Sequence, residues 1–263
     1  MQKLPTLFLS HGSPMHAINA GKAGEVWAAL AKQLPTPRAV LVATAHWESN
    51  LPMLSGNAKP SMIYDFGGFP EELYKIVYPA PGAPDIAANA LALLKSAGFT
   101  AGIDGCRGID HGTWVPLLKM YPDADVPVVQ LSVQPAMNPR HHYDVGRALA
   151  PLTKEGVLIV GSGHLTHNLR DWMMSRGHGV GNTRAPYAQK FQSWVFDHLA
   201  AHDTDALTRY RQEAPDAARA HPTEEHFMPL FVALGAAGDD AEPERVFDGF
   251  EGTALAMDAY RFQ

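Results

Sequence analysis

The sequence has 263 residues, of which 46% are apolar, and its 21 Lys and Arg against 27 Asp and Glu give a formal net charge of −6. A chain of this length buries roughly three quarters of the surface that it exposes when unfolded, so general disorder is excluded and one large domain over 1–263 is expected. Basic residues form no block and no stretch approaches the ~20 apolar residues of a membrane span, so neither a nucleic-acid partner nor a membrane is expected.

Two apolar runs near the N-terminus predict buried strands that each end in a histidine. Leu7–Leu9 is followed by Ser-His-Gly-Ser-Pro, whose Gly and Pro end the strand with His11 at its tip. Ala39–Glu48 is rich in β-branched residues and ends in Ala-His46-Trp-Glu. Apolar residues at helical spacing predict a helix over Gly24–Leu34 between them. The resulting βαβ unit brings both imidazoles to one edge of a parallel sheet.

The next part of the chain is punctuated by Gly and Pro. Ile63–Pro70 is aromatic and glycine-rich, which predicts a loop that either shapes a binding pocket or is simply held in place by its aromatic rings. The pattern predicts a helix over Ile86–Ala97 and a short helix over Leu117–Met120. His111 lies in the segment before that short helix, where it is either a general acid/base or a structural loop histidine.

In the second half of the chain, the pattern predicts further elements of both kinds and one glycine-rich loop. The predicted strands are Pro127–Ser132, Gly156–Gly161, Val246–Phe250 and Thr253–Phe262. The predicted helices are Pro139–Leu152, Pro186–Ala201, Ala206–Ala220 and one that begins at Thr223 and runs to Ala236. The loop is Arg176–Ala185. His164 and His167 follow the second of these strands, and His226 is expected in the first turn of the last helix. No composition break divides the chain, so the alternating elements predict a single α/β domain.

Histidine therefore recurs at strand ends and at one helix start, in His11, His46, His164 or His167, and His226. Zinc and ferrous iron bind neutral imidazole, and a catalytic site keeps a position open for substrate. The chain has 13 histidines and one cysteine, so a thiolate-rich zinc site and an intrachain disulfide are both excluded, and a cytoplasmic protein is expected. The spacing is long-range and carries no local metal motif, so isolated, satisfied polar histidines remain the alternative.

Other residues have simpler interpretations. His198 and His202 are four apart on a predicted helix but lack a following glutamate, so they are interpreted as surface residues. The remaining histidines in polar or turn segments are expected to be solvated: His16, His141, His142 and His178. Trp47 and Trp114 are expected in the core, or as walls of the site because each adjoins a candidate histidine.

Several ordered blocks of this sequence resemble one enzyme family. They are LFLSHGSP, ATAHWES, YDFGGFPEELY, YPAPGAP, DHGTWVPLLKMYPDADVPVVQLS, GSGHLTHNL, HPTEEHFMPL and AMDAYRF. In these blocks the chain is similar to the DODA-type extradiol ring-opening dioxygenases of the class III, LigB-like superfamily. The resemblance implies a single α/β domain with a mixed, mostly parallel central sheet flanked by helices. It also implies a non-haem metal at the strand ends.

The resemblance also assigns roles to residues of this sequence. The metal histidines that it implies are His11, His46, His167 and His226. It implies His111 and His167 as catalytic residues, His167 being either a fourth ligand or an acid/base. Related ring-cleaving enzymes hold iron with two histidines and a glutamate, and here His226 stands in the place of the glutamate. Such an all-imidazole site suits zinc as well as Fe(II). The residues expected to contact substrate are Tyr64, Asp65, Phe66 and Trp47.

The function expected from the resemblance is extradiol opening of a catechol, such as 3,4-dihydroxyphenylalanine, by O₂. Fe(II) is expected for activity because zinc has no redox chemistry, and Zn(II) is expected to take its place readily in purified protein. The partners are then a small aromatic diol and O₂, with the protein a monomer or homo-dimer. Two alternatives are a zinc-dependent hydrolase of an amide or ester in the same pocket and a binding module without activity.

Overall fold

The described part of the chain, residues 3–175 and 184–263 of a computed structural model, is built around one central sheet. The predicted loop Arg176–Ala185 and His178 lie largely outside these residues. The strands of the central sheet are β1 (Thr6–Ser10), β2 (Ala39–Glu48), β3 (Met53–Ser55), β4 (Gly102–Asp104), β5 (Val128–Val133), β6 (Val157–Gly163), β7 (Pro243–Phe247) and β10 (Ala259–Phe262). Between the last two, β8 (Phe250–Glu251) and β9 (Leu255–Ala256) form a small hairpin of their own.

Most of the strand pairs in the central sheet are parallel. The order is β4-β3-β5-β2-β6-β1-β10-β7. Strand β2 pairs in parallel with β5 and β6, and β1 pairs in parallel with β6. The exceptions are β3 with β5, β1 with β10 and β10 with β7, which are antiparallel. The predicted fold class, a single α/β domain with a mixed, mostly parallel sheet, is confirmed.

Helices cover both faces of the sheet. They are α1 (Gly21–Gln33), α2 (Pro84–Ser96), α3 (His111–Met120), α4 (Pro139–Leu149), α5 (Pro151–Lys154), α6 (Leu169–Ser175), α7 (Pro186–Ala200), α8 (Thr204–Thr208), α9 (Tyr210–Glu213), α10 (Ala217–Ala220) and α11 (Met228–Ala237). Short 3₁₀ helices occupy Pro14–Ala17 and Glu71–Lys75. No helix in residues 3–175 and 184–263 combines the length and apolar character that crossing a bilayer requires.

Side chains alternate along β2 between two apolar layers, as the twofold period of a strand requires. Val40 and Val42 pack into the layer that contains α1 and α3. Leu41 and Ala43 pack into the opposite layer, which contains residues of α2, α4 and α11. Strand β2 is therefore buried on both faces, and only its carboxyl end reaches solvent.

The helix that carries His111 begins earlier than predicted. Helix α3 runs over His111–Met120, whereas the sequence predicted helix only over Leu117–Met120. Asp110 caps it, because its carboxylate accepts the backbone N–H of Thr113. His111 is therefore the first residue of a helix, and a rigid element holds its backbone.

The prediction of one helix over Ala206–Ala220 is wrong. The segment forms three short helices, α8, α9 and α10, and Tyr210 and Ala220 are fully buried. The Tyr210 hydroxyl donates to Glu224. These buried side chains pack against other parts of the chain, and the segment bends between short helices instead of forming one continuous helix.

Other predicted bounds shift near the C-terminus. The last helix begins at Met228 instead of Thr223, so His226 precedes it in a turn. The two predicted final strands are four shorter ones, β7 to β10. The predicted helix Pro139–Leu152 is divided into α4 and α5.

His142 was predicted to be solvated, but it is buried. Its Nε2 accepts the Gln134 backbone N–H, and its Nδ1 bonds to the Asn138 carbonyl. Because both ring nitrogens have partners, the buried imidazole leaves no polar atom unsatisfied.

Candidate active site

Histidines from separate elements line one cavity at the carboxyl end of the parallel strands. The cavity has a volume of about 340 Å³, a size typical of sites for small ligands. His11 follows β1, His46 lies near the end of β2, and His111 begins α3. The remaining lining histidines, from the turn after β6 and the turn before α11, are His164, His167 and His226. The predicted convergence of distant imidazoles is therefore present in the structure.

The nitrogens of these histidines form two close groups within the described residues. The Nε2 atoms of His11 and His46 are 3.1 Å apart. One nitrogen each from His11, His46 and His111 lies within 4.8 Å of the others. A second group of the same kind joins His167 and His226 to Glu225.

His226, a member of the second group, lies close to the first group. Its ring centroid is 5.4 Å from that of His11 and 5.0 Å from that of His46. The His167 ring stacks on the His226 ring with centroids 3.5 Å apart and an angle of 15° between their planes. The four histidines predicted as ligands thus face one cavity, but by ligand-atom distance His111, not His226, is grouped with His11 and His46.

Ser162 determines which nitrogen of His11 faces the cavity. The Ser162 hydroxyl donates a hydrogen bond to the Gly112 carbonyl. Its oxygen, 3.0 Å from His11 Nδ1, therefore accepts a hydrogen bond from the N–H of that nitrogen. His11 consequently keeps an unprotonated Nε2 with its lone pair in the cavity.

Asp65 orients two further histidines at once. One carboxylate oxygen lies 3.1 Å from His46 Nδ1, and the other lies 2.8 Å from His111 Nδ1. The second oxygen also accepts the backbone N–H of His111 at 3.0 Å. Burial by itself raises the pKa of Asp65, but hydrogen bonds from His111 and His46 hold the pKa well below its ordinary value. Asp65 is therefore an anionic acceptor for two Nδ1–H groups, and both Nε2 atoms are left free to accept.

Burial keeps the imidazoles neutral. Desolvation, followed by the proximity of other imidazoles, lowers the pKa of His11, His167 and His226 well below the ordinary value. The pKa of His111 is also lowered by burial, although Asp65 opposes the shift. His226 Nδ1 lies 2.8 Å from a Glu225 carboxylate oxygen, which accepts a hydrogen bond from the Nδ1–H group. Neutral imidazoles with oriented Nδ1–H groups are the form that binds metal.

This donor set fits a divalent cation. Two unprotonated Nε2 atoms that face each other at 3.1 Å repel unless a positive charge lies beside them. Zinc and ferrous iron both accept several imidazoles, and the Nδ1 partners Ser162, Asp65 and Glu225 are of the kind that orients metal-bound histidines. The residues present therefore suit a metal, without deciding which one.

The structure divides the four residues that were predicted to contact substrate. Asp65 and Phe66 line the cavity, whereas Tyr64 and Trp47 are not among the lining residues. The Tyr64 hydroxyl donates to the Ile76 carbonyl, and its ring packs against that of Phe66 at 6.2 Å. Trp47 alternates with His46 along β2 and lies beneath the Arg107 guanidinium, 4.8 Å from the ring centroid.

The sequence indicated some of the other lining residues but not all of them. His164, a candidate because it follows β6, is buried and lines the cavity, although the resemblance favoured His167. Glu251 and Leu255 line the cavity from the β8–β9 hairpin, which the sequence pattern did not indicate. The bridging position of Asp65 carried no sequence signal beyond its place in an aromatic loop.

The chain is similar to known proteins over nearly its whole length. Residues 5–261 match the family described as the catalytic LigB subunit of aromatic ring-opening dioxygenase. The chain is 42% identical over 261 residues to a 4,5-DOPA dioxygenase extradiol of Beta vulgaris, covering 98% of this chain and 96% of that one. It is 38% identical over 259 residues to the protein of that name from Escherichia coli K12, covering 97% and 93%. The crystal structure of an uncharacterized Escherichia coli K12 protein superposes with a TM-score of 0.83 and 32% identity, covering 99% of this chain and 100% of that one.

Proposed function

Because this chain belongs to the LigB family of aromatic ring-opening dioxygenases and is an extradiol dioxygenase, we propose that it opens the ring of a catechol with O₂ at a non-haem Fe(II). The first candidate substrate is 3,4-dihydroxyphenylalanine, which the names of several relatives specify. The catalytic domain is residues 1–263. Its single cysteine, Cys106, is exposed and free, which suits a cytoplasmic protein.

The observation that carries this proposal is the set of neutral imidazoles with oriented Nδ1–H groups around one cavity. The ligands in this proposal are His11, His46 and His226, with His167 as a fourth ligand or an acid/base. When bound, Fe(II) supplies the redox chemistry with O₂ that zinc lacks, and its charge lowers the pKa of the catechol hydroxyls.

His111 is positioned to move a substrate proton. Its Nδ1–H is held by Asp65, so its Nε2 is the atom that accepts a proton from a catechol hydroxyl. The lowered pKa of His111 keeps that nitrogen unprotonated at neutral pH, and the Asp65 carboxylate stabilises the imidazolium once the proton has arrived. His167, stacked on His226, supplies a second imidazole for a later proton transfer.

Apolar side chains complete the site. The rings of Phe66 and Phe69 line the cavity on one segment, and Leu169 and Trp172 line it from α6. These side chains pack against the aromatic ring of a substrate and exclude water from the reacting carbons. The volume of about 340 Å³ suits a substrate with one ring.

The test compares two single variants that separate ligand from acid/base. Apo-protein is loaded with Fe(II) without oxygen, mixed with a catechol, and then exposed to air, when a coloured ring-opened semialdehyde is expected. His226→Ala is expected to lose both bound iron and product. His111→Ala is expected to retain iron, measured by elemental analysis, while turnover falls by about 10²-fold or more.

The matched control is His202→Asn. His202 is exposed and has a backbone φ of 55°, which Asn tolerates, so this variant is expected to keep iron and activity. If the iron-loaded wild type yields no semialdehyde from a panel of catechols, the proposal is wrong. If His111→Ala loses iron and His226→Ala retains it, the two roles are exchanged.

A second candidate function is zinc-dependent hydrolysis of an amide or ester. The all-imidazole donor set favours it, because such sites hold zinc and activate bound water. Hydrolysis that depends on zinc and consumes no O₂, measured with an oxygen electrode, would establish this alternative.

A further inference from the structure

The β8–β9 hairpin contributes one acidic side chain to the cavity wall. Glu251 and Leu255 are register partners across this hairpin, and both line the cavity. The Glu251 side chain is 21% exposed, so its carboxylate is largely removed from bulk water. A charge at such a position affects which substituents a substrate can carry into the cavity.

Backbone contacts hold Glu251 beside the imidazole cluster. Its Oε2 accepts the Ser13 backbone N–H at 3.2 Å, and Ser13 is two residues from His11, a separation of at most about 7 Å along the chain. The second neighbour of Oε2 is His16 Nδ1 at 3.7 Å, which itself bonds to the Ser13 carbonyl. Both of these contacts use Oε2, so Oε1 is the oxygen that can accept a hydrogen bond from a ligand.

The carboxylates that line the cavity, Asp65 and Glu251, face no cationic side chain there within the part of the chain that the structure describes. Among the lining residues in the described ranges there is no Lys or Arg. The carboxylate of Asp65 is already shared between His46 and His111. An anionic substituent on a substrate would thus meet no cationic side chain and one carboxylate, whereas a cationic substituent would find a partner in Glu251.

We propose that Glu251 binds an ammonium group on the side chain of the catechol and so selects catechols that carry an amino group over those whose side chain is neutral or carries only a carboxylate. This inference rests on the proposed function, because it names the substrate class of that same site. Charge-assisted hydrogen bonds from ammonium to carboxylate are stronger than neutral ones, and partial burial strengthens this one further.

The experiment uses three catechols that differ mainly in side-chain charge: 2-(3,4-dihydroxyphenyl)ethylamine, 4-ethylcatechol and 3-(3,4-dihydroxyphenyl)propionate. Dissociation constants are measured on protein loaded with redox-inert Zn(II), from quenching of tryptophan fluorescence, since Trp172 lines the cavity. Turnover of the same catechols is measured separately on protein loaded with Fe(II).

The wild type is expected to bind the amine most tightly and the propionate least tightly. Glu251→Gln is expected to reduce the preference for the amine over 4-ethylcatechol by about tenfold. Glu251→Lys is expected to reverse the order of amine and propionate. The control Glu25→Gln removes an exposed glutamate that pairs with Lys22 on α1, and it is expected to leave the ratio unchanged.

An unchanged ratio in Glu251→Gln, or tightest wild-type binding of the propionate, would overturn the role of Glu251. Failure of the iron-loaded protein to open any of the three rings contradicts the proposed function instead. The ratio of dissociation constants on the zinc form still decides the role of Glu251 in that case.

Discussion

Asp65 connects two histidines that have different proposed roles. Its carboxylate bonds to His46, a proposed ligand, and to His111, a proposed proton acceptor. From the sequence, Asp65 was expected only to contact substrate, because it lies in the aromatic, glycine-rich stretch Ile63–Pro70. A bridging contact between a loop and two other elements depends on tertiary packing, which no local pattern encodes.

Asp65→Asn is the corresponding prediction. An amide oxygen replaces only one of the two acceptors, so one Nδ1–H loses its partner. We expect metal affinity to fall by roughly 10- to 100-fold, as is typical when a group that orients a metal ligand is lost. Competition with a chromophoric chelator measures the affinity, and stopped-flow turnover at saturating metal reports on His111.

Asp85→Asn serves as the control for Asp65→Asn. Asp85 lies on α2, is exposed and pairs with Arg38. We expect the Asp85→Asn variant to bind metal with the affinity of the wild type. An Asp65→Asn variant that bound metal as the wild type does and turned over at full rate would contradict the bridging role.

Helix α11 and the turn before it lie so close to β6 that only glycine fits at two positions of the strand. A Cβ on Gly161 would lie 2.1 Å from the Pro229 carbonyl oxygen, and one on Gly163 would lie 2.1 Å from the His226 carbonyl oxygen. The backbone N–H of His164 donates to that same carbonyl at 2.8 Å. Strand β6 therefore fixes the position of His226 through backbone contacts.

Gly163→Ala tests this element contact. The added methyl group must displace the His226 backbone, so metal affinity is expected to fall together with about 1–3 kcal/mol of the free energy of unfolding. Gly235→Ala, where the new Cβ would lie 2.0 Å from the Tyr143 carbonyl oxygen, is expected to lose similar stability.

The two glycine variants differ in what they move. Gly235 packs α11 against α4, away from the imidazoles, so metal affinity should survive in that variant. Isothermal titration with Zn(II) and urea denaturation measure the two quantities. Equal losses of metal affinity in both variants would show that general destabilisation, and not the position of His226, accounts for the effect.

Sequence patterns identified the strands at this scale better than the helices. Strands β1, β2, β5 and β6 are apolar runs buried on both faces, which local composition reveals. The predicted helix over Ala206–Ala220 failed because Tyr210 turns inward to Glu224, a contact with a residue beyond the segment. The early start of α3 is hidden from local pattern because the helix includes Gly112 and Pro116, two residues that disfavour helix.

Buried histidines outside the cavity make the whole molecule sensitive to acid. Burial lowers the pKa of His142 to about 4 and that of His221 to about 3. In the unfolded chain both protonate near the ordinary histidine value, so unfolding takes up protons below that value. The stability that these residues contribute is complete above about pH 6.5 and is lost as the pH falls toward about 4.

We expect the free energy of unfolding to fall by roughly 3 kcal/mol per pH unit from these two groups between pH 6 and 4. Urea titrations of the metal-free wild type and of His142→Gln and His221→Gln at several pH values measure the part of the slope that each residue supplies. His142→Gln should remove one proton from the difference between the unfolded and the folded state, which reduces the slope by roughly 1.4 kcal/mol per pH unit. A free energy of unfolding that did not vary over this range would contradict the prediction.

Asp258 acts in the opposite direction. Burial raises its pKa to about 7, although a hydrogen bond from Gln192 partly opposes the shift. The folded protein therefore holds a proton on Asp258 between about pH 4 and 7 that the unfolded chain releases, so this contribution to stability is lost as the pH rises through that window.

Asp258→Asn removes that dependence. Relative to the wild type, the variant is expected to gain roughly 1 kcal/mol in free energy of unfolding per unit of rising pH between 4 and 7. Paired urea titrations measure the difference, with Asp123→Asn, at an exposed position, as the control. A constant difference across the window would show that Asp258 does not carry the proton.

At the scale of the molecule, the convergence of imidazoles was predictable because parallel strands that share an edge bring their carboxyl ends together. That rule predicts from the sequence that His11, His46 and the residues after β6 lie at one edge. It could not place Glu251, since the hairpin that carries it lies outside the central sheet.

The pairing of β1 with β6 and β10 has a consequence for synthesis on the ribosome. The first strand emerges early but finds its sheet neighbours only after most of the polypeptide has been translated. Until residues 226 and 255 leave the exit tunnel, the nascent chain has no enclosed chamber for an ion or an aromatic molecule. The cavity in which we propose the metal therefore closes only after nearly the whole chain has been translated.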